Sequence, residues 1–312
     1  SDNNDSLTFA ADINSDIIPD QNEYYTLGSN PTTGRWKDIY PSLINGQLIT
    51  GLSIVSGGLD LVLRPGNIWY VAANGSDSNV GNHQSGPFAT IGHALTVATA
   101  GDTVHIYPGT YNEFFPLTVP TGVAVKGTSI RSVTVVPDST TQSETAFLLN
   151  GETTVSDLTV KDFYAPGYAF SFAPGFTVST RSPYVQNITV ITKGSVVSLT
   201  DPRGFDQGDA GGGAYVDGSL ATSSSKEASM LFHSVTFITP GVDALTMTNG
   251  VRVEWLNSFT YFANRGLYAT NGTLGFASLG VRFGAEIRSI GSANVYGNYG
   301  AEADGASTLM YL

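Results

Sequence analysis

The chain contains no cysteine in its 312 residues. Disulfides, thiolate metal sites and cysteine nucleophiles are therefore excluded. A secreted domain of this size commonly carries disulfides, so their absence favours assembly in a reducing compartment. Charge is scarce as well. Only 13% of residues are charged, with 14 Lys and Arg against 26 Asp and Glu, for a formal net charge of −12. This argues against a nucleic-acid partner, because phosphate binding needs clustered cations; the same sign disfavours an anionic membrane surface. No apolar run reaches membrane-spanning length, and the polar start Ser1-Asp-Asn-Asn-Asp5 is no signal peptide. His83, His93, His105 and His233 lack the paired spacing of a zinc site, and no phosphate loop or Gly-x-Ser-x-Gly elbow occurs. Asp77-Ser-Asn79-Val-Gly81 begins like a calcium loop, but Phe88 stands where the bidentate Glu should be. No metal and no cofactor is expected.

What the chain has is a six-residue phrase that recurs five times, at intervals of 24 to 47 residues. It reads Ile130-Arg-Ser-Val-Thr-Val135, Val155-Ser-Asp-Leu-Thr-Val160, Val185-Gln-Asn-Ile-Thr-Val190, Phe232-His-Ser-Val-Thr-Phe237 and Leu256-Asn-Ser-Phe-Thr-Tyr261. Positions one, four and six are apolar, position three is Ser, Asp or Asn, and position five is Thr. Such self-similarity marks a solenoid whose coils rest on one another. Positions four to six predict a short strand pointing in, out, in, so Leu158 and its equivalents fill a core while Thr159 faces outward. The small polar residue at position three suits a sharp corner. Three buried apolar side chains give a coil roughly 5–9 kcal/mol, against roughly 25–50 kcal/mol of backbone entropy for about 25 residues. A coil is stable only in a stack.

The segment before the phrases predicts an entry to that stack. Trp69-Tyr-Val71 reads as a strand and Asn74 to Gly81 as a turn-rich loop. Residues 87–99 read as a short capping helix, with Pro87 in its first turn and Gly101 closing it. The strand Thr103-Val-His-Ile-Tyr107 and the turn Pro108-Gly-Thr-Tyr-Asn-Glu113 follow. The string "WYVAANGSDSNVGNHQSGPFATIGHALTVATAGDTVHIYPGTYNE" resembles the opening of right-handed parallel β-helix domains of the pectate-lyase-like superfamily. The resemblance extends over about residues 67 to 312 and implies an all-β, right-handed, single-stranded parallel β-helix. That superfamily includes lyases, hydrolases and inert adhesins, so the fold alone assigns no activity.

Residues 1–66 lack the coil pattern and hold too few apolar residues for a core of their own. Within them, "DIIPDQNEYYTLGSNPTTGRWKDIY" resembles a module found along bacteriophage tail fibres, with Leu27-Gly28-Ser29, Arg35-Trp36 and Ile39-Tyr40 as its fixed points. The resemblance implies a trimeric stem, with Trp36, Ile39 and Tyr40 at the interface between three copies. The chain lacks an initiator Met and ends on the apolar, uncapped Ser307-Thr-Leu-Met-Tyr-Leu312, so more protein is expected beyond it.

Two insertions break the phrase spacing and are expected to form loops outside the solenoid, at 162–184 and 201–229. The second holds Asp201, Arg203, Asp206, Asp209 and Asp217, the residue types of a glycosidase pair or a lyase. A solvated Gly-rich loop is the simpler reading, and these residues are expected not to be catalytic. The first insertion is rich in aromatic residues. Tyr164, Tyr168, Phe172 and Tyr184, with Tyr215, are candidate sugar-stacking platforms, and core filling is the competing role. The combined expectation is a homotrimeric virion protein of a phage tail or fibre, bound to other virion proteins and to a host surface glycan. A polysaccharide depolymerase and a non-catalytic carbohydrate-binding module are the alternatives.

Overall fold

The computed structural model describes residues 53–56, 59–62, 66–177, 181–192, 209–221, 228–270, 286–290 and 293–304. Trp36, Ile39, Tyr40, Asp201, Arg203 and Asp206 lie outside them. The chain divides into two compact units, Ser1–Leu63 and Arg64–Leu312. In the first, Ser53–Ser56 pairs antiparallel with Leu59–Val62. The second is a 17-stranded, parallel, right-handed β-helix. Among its described residues no helix is long and apolar enough to cross a membrane.

Three sheets run its length. The first stacks Ile68–Val71, Thr103–Ile106, Ala124–Gly127, residues 154–156 and 184–186, the start of Ser229–Ile238, Arg252–Leu256 and Glu286–Ile290. The second begins with Gly109–Glu113 and Val133–Pro137 and continues through the later halves of Thr154–Lys161, Tyr184–Ile191 and Ser229–Ile238. The third stacks Leu117–Val119, Phe147–Leu149, Tyr168–Phe172, Gly212–Asp217, Leu245–Thr248 and the end of Phe259–Ala269. "PGTYNE" is therefore a strand from Gly109 onward and not a turn.

In the second, third and fourth phrases the alternation is as the pattern predicts. Val155, Leu158, Val160, Val185, Ile188, Val190, Phe232, Val235 and Phe237 are fully buried. Thr159 pairs with Thr189 and Thr189 with Thr236 on the outer surface. Asp157, Asn187 and Ser234 turn the corner at φ of 61°, 52° and 56°, the left-handed region that Asn and Asp tolerate best. Asn187 donates to Asp157 across coils at 2.5 Å.

The first and fifth phrases depart from the register. In the first, Val125 rather than Ile130 pairs with Val155, and residues 128–132 form a longer corner that leaves Ile130 partly exposed. In the fifth, Phe259 pairs with Thr236 and Thr260 with Phe237, so Trp255, Ser258 and Thr260 point inward and Phe259 and Tyr261 outward. Asn257, not Ser258, takes the positive φ of 47°. Both insertions are also partly regular structure. Tyr168–Phe172 and Gly212–Asp217 are strands of the third sheet, not external loops. The glycine run is buried because aromatic rings approach its backbone. A Cβ would lie 2.2 Å from the Phe163 ring at Gly211, 2.4 Å from Tyr168 at Gly212 and 2.1 Å from Phe237 at Gly213.

The capping helix is shorter than predicted, spanning Ile91–Val97, with Thr90 as N-cap accepting from the His93 N–H at 3.1 Å and Ala98 as C-cap. Pro87 precedes the N-cap and Gly101 lies beyond the helix. Ile91, Ala94 and Leu95 bury against the core. Glu113 staples the helix to the first coil, accepting from the Ile91 and Gly92 N–H groups at 2.7 and 2.9 Å. Burial pushes its carboxyl up to about 7; these two hydrogen bonds pull it down and the nearby Asp77 pushes it up. Asp102 ties the helix end to the first strand, accepting from Thr99 N, Asn67 N and Trp69 Nε1. Its burial would raise the carboxyl, but these bonds and the Thr99 hydroxyl hold it below the usual value.

Candidate functional site

The outer surface of the third sheet brings together side chains from four successive coils. In the register, Tyr168 sits beside Gly212, while Ser171, Tyr215, Thr246 and Tyr268 form one row on the side away from the core, with Ser171 and Thr246 buried and the two tyrosines half-buried. The missing Cβ of Gly212 lets the Tyr168 ring lie along the sheet, 5.3 Å from the Tyr215 ring centroid. Burial raises the phenol pKa of both, helped by Asp243 at Tyr168 and by Asp217 at Tyr215. Both therefore remain hydroxyl donors at neutral pH.

Arg265 organises the next part of the face. Its Nε donates to Asp243 Oδ1 at 2.8 Å, its Nη2 pairs with Asp243 Oδ2, and its Nη1 reaches Glu302 Oε2 at 3.3 Å. Its guanidinium carbon lies 3.4 Å from the Tyr268 ring centroid, within cation–π range. The hydrogen bonds it donates to Asp243 raise the guanidinium pKa further, so the charge is permanent. Both carboxylates are thus turned toward one cation. An acid–base pair for glycoside cleavage needs two carboxyls facing a common gap, and here both are taken up by the one guanidinium. What the face offers is three phenol rings, hydroxyl donors and carboxylate acceptors in fixed positions.

The five candidate aromatics thus fall in different places. Tyr168 and Tyr215 come together. Tyr184 is partly exposed on the first sheet, and Tyr164 bridges to Ala210 beside the third-sheet strand. Phe172 is fully buried and stacked on Phe176 at 4.4 Å, so its ring is a core residue and closed to a ligand. Asp217 caps a 3-10 turn, accepting from Ser219 N at 2.8 Å and Asn249 Nδ2 at 2.7 Å. Asp209 is described and half-buried, with bonds of its own. Among the described residues no group of three or more His, Cys, Asp or Glu could hold a metal ion. Asp243, Arg265, Tyr268 and Glu302 carry no signal in the phrase, because each lies outside it.

Residues 73–165 match the model of a family described as a protein of unknown function (DUF1565). A 48-residue stretch is 50% identical to the uncharacterized protein YwoF of Bacillus subtilis (strain 168). That match takes in 15% of this chain and only 10% of YwoF. Among solved structures, the pectin methylesterase PemA from Erwinia chrysanthemi superposes with a TM-score of 0.42 at 16% identity, over 70% of this chain and 64% of that one. The pectate lyase Pel9A gives 0.39 at 14%, over 76% and 78%. A rhamnogalacturonan lyase gives 0.38 at 15%, over 75% and 69%.

Proposed function

We propose that this chain is a structural protein of a tailed-phage virion, a fibre or tailspike-like component that holds a host surface glycan without cleaving it. The phage assignment rests on the resemblance of residues 16–40 to the fibre module. The glycan reading rests on one observation: the third sheet displays Tyr168, Tyr215 and Tyr268 around an Arg265 clamped by Asp243 and Glu302. Aromatic faces stack on the apolar faces of sugar rings, and fixed donors and acceptors meet their hydroxyls. A net charge of −12 favours neutral over polyanionic glycans. The protein acts as a homotrimer, with Trp36, Ile39 and Tyr40 buried between copies.

The test is incubation of the purified protein with host envelope glycan, reading retention and chain length together. Retention without shortening, weakened about tenfold by Tyr215→Ala, is expected. Shortening that Asp206→Asn and Asp209→Asn abolish would make the protein a depolymerase. Sedimentation of a folded monomer at micromolar concentration would refute the trimer.

A further inference from the structure

We infer a second saccharide site, separate from the third-sheet face, in a cavity of about 590 Å³ where the loop after the first strand meets the first coil. Asn74, Asn79, Gln84, Ser85, Tyr107 and Pro108 are among the residues that line it. A cavity of this size falls within the 300–1,000 Å³ of small-ligand sites.

Three observations give it ligand chemistry. The first is an aromatic ring in the lining, Tyr107, backed by two others. Tyr107 stacks on Tyr70 with centroids 6.0 Å apart and planes 15° from parallel, and His105 stands edge-on to Tyr107 at 5.3 Å. The Tyr107 backbone is fixed from both sides, its N–H donating to Val71 O at 2.9 Å and its carbonyl accepting from the Tyr111 hydroxyl at 2.7 Å. The second is a set of free amides. Asn74 and Gln84 make no side-chain hydrogen bond to other described residues, and Asn79 uses only its Nδ2, on Pro87 O at 2.7 Å. Each amide offers a donor, an acceptor or both, as vicinal sugar hydroxyls require. The third is rigidity before binding. Ala72 N donates to Phe88 O at 2.9 Å, Ser76 N to Pro87 O at 3.1 Å and Gly81 N to Gly86 O at 3.1 Å. Asp77 anchors the loop tip by accepting from Ala89 N at 2.9 Å and Thr90 N at 3.0 Å. Little order is left to impose on a ligand site built this way.

The lining carries no charged side chain, so the ligand class is a neutral oligosaccharide and not a uronate. The site lies mainly within the family-matched residues 73–165, which contain neither Tyr215 nor Arg265. It is therefore independent of the proposed receptor face.

The experiment is titration calorimetry of the full chain with a panel of neutral hexose and N-acetylhexosamine oligosaccharides, with oligogalacturonate as the anionic control. In a Tyr215→Ala background, which removes the third-sheet contribution, binding of a neutral member is expected to persist and to be weakened about tenfold by Tyr107→Ala and by the double variant Asn74→Ala, Gln84→Ala. The double variant changes only exposed side chains and decides the matter if Tyr107→Ala fails to fold. Affinity unaltered in the double variant, binding of the galacturonate alone, or no binding at all would overturn the proposal. Loss on Tyr215→Ala alone would overturn it too, while leaving the third-sheet reading intact.

Discussion

The coils that start at Thr154, Tyr184 and Ser229 share one register, while the coil that starts at Arg252 repeats the same phrase one residue out of step. The difference teaches what sets register in a stack. In the phrase register, Leu256, Phe259 and Tyr261 would all enter a layer resting on Phe232 and Phe237. Two further aromatics there would overpack it. The slip puts in one wide ring instead: Trp255 contacts both Phe232, at 5.5 Å between centroids, and Phe237, at 5.2 Å. Ser258 and Thr260 fill what remains, and Ser258 Oγ accepts from Val235 N at 3.0 Å. Asn257 then reaches the left-handed corner, which it tolerates better than Ser258 would.

The largest effect is expected in a regular coil. Ile188→Asp buries an unpaired charge and should cost about 4 kcal/mol or more, whereas Thr189→Asp on the outer row should cost under about 1 kcal/mol. Chemical denaturation measures both; equal losses would destroy the assigned alternation. In the slipped coil the expectation inverts the phrase. Trp255→Ala should cost about 3–5 kcal/mol and Tyr261→Ala less than about 1 kcal/mol, although the phrase puts Tyr261 inside. A Tyr261 variant as damaged as the Trp255 variant would restore the phrase register.

The first coil supplies a pH handle that the regular coils lack. Glu113 sits at about 7 in the fold against its usual 4.5, so the folded protein holds an extra proton between those values. Stability from this group is complete below pH 4.5 and falls as pH rises, by about 3 kcal/mol at most, levelling off above pH 7. The melting curve of wild type minus that of Glu113→Gln, from pH 4 to 8, should show this decline; a difference that grows with pH would contradict it. The smallest effect belongs to the corners. Asn257→Ala should cost about 1 kcal/mol and Asn257→Gly close to nothing, and a corner at Ser258 would leave Asn257→Ala silent.

What was legible in the sequence is what neighbours along the chain decide. Leu158, Thr159 and Val160 alternate because strand geometry requires it, and Asp157 and Asn187 mark corners through their own dihedral preferences. The helix over Ile91–Val97 was visible from its spacing, though not its true start at Thr90. The third sheet was not legible. Gly211, Gly212 and Gly213 resemble a loop until the rings of Phe163, Tyr168 and Phe237 are seen against them. The site was half visible. Tyr168 and Tyr215 stood out as aromatics, but Arg265 meets Asp243 across 22 residues and Glu302 across 37, separations fixed by coil length and by no local signal.

The Glu113 staple has a consequence for how the molecule is copied along its own length. The helix lies over the first coil, and the following coils pair in parallel, each on the one before it. Each coil fixes the alternation of the next through their shared ladder, because a one-residue slip would turn every inward side chain outward. At Asn257 the phrase slips by one residue while the ladder keeps inward residues opposite inward ones, Trp255 against Phe232. Arg252–Leu256 pairs residue for residue with Glu286–Ile290, whereas Phe259–Ala269 meets Ala293–Ala303 with breaks of register between Tyr261 and Arg265.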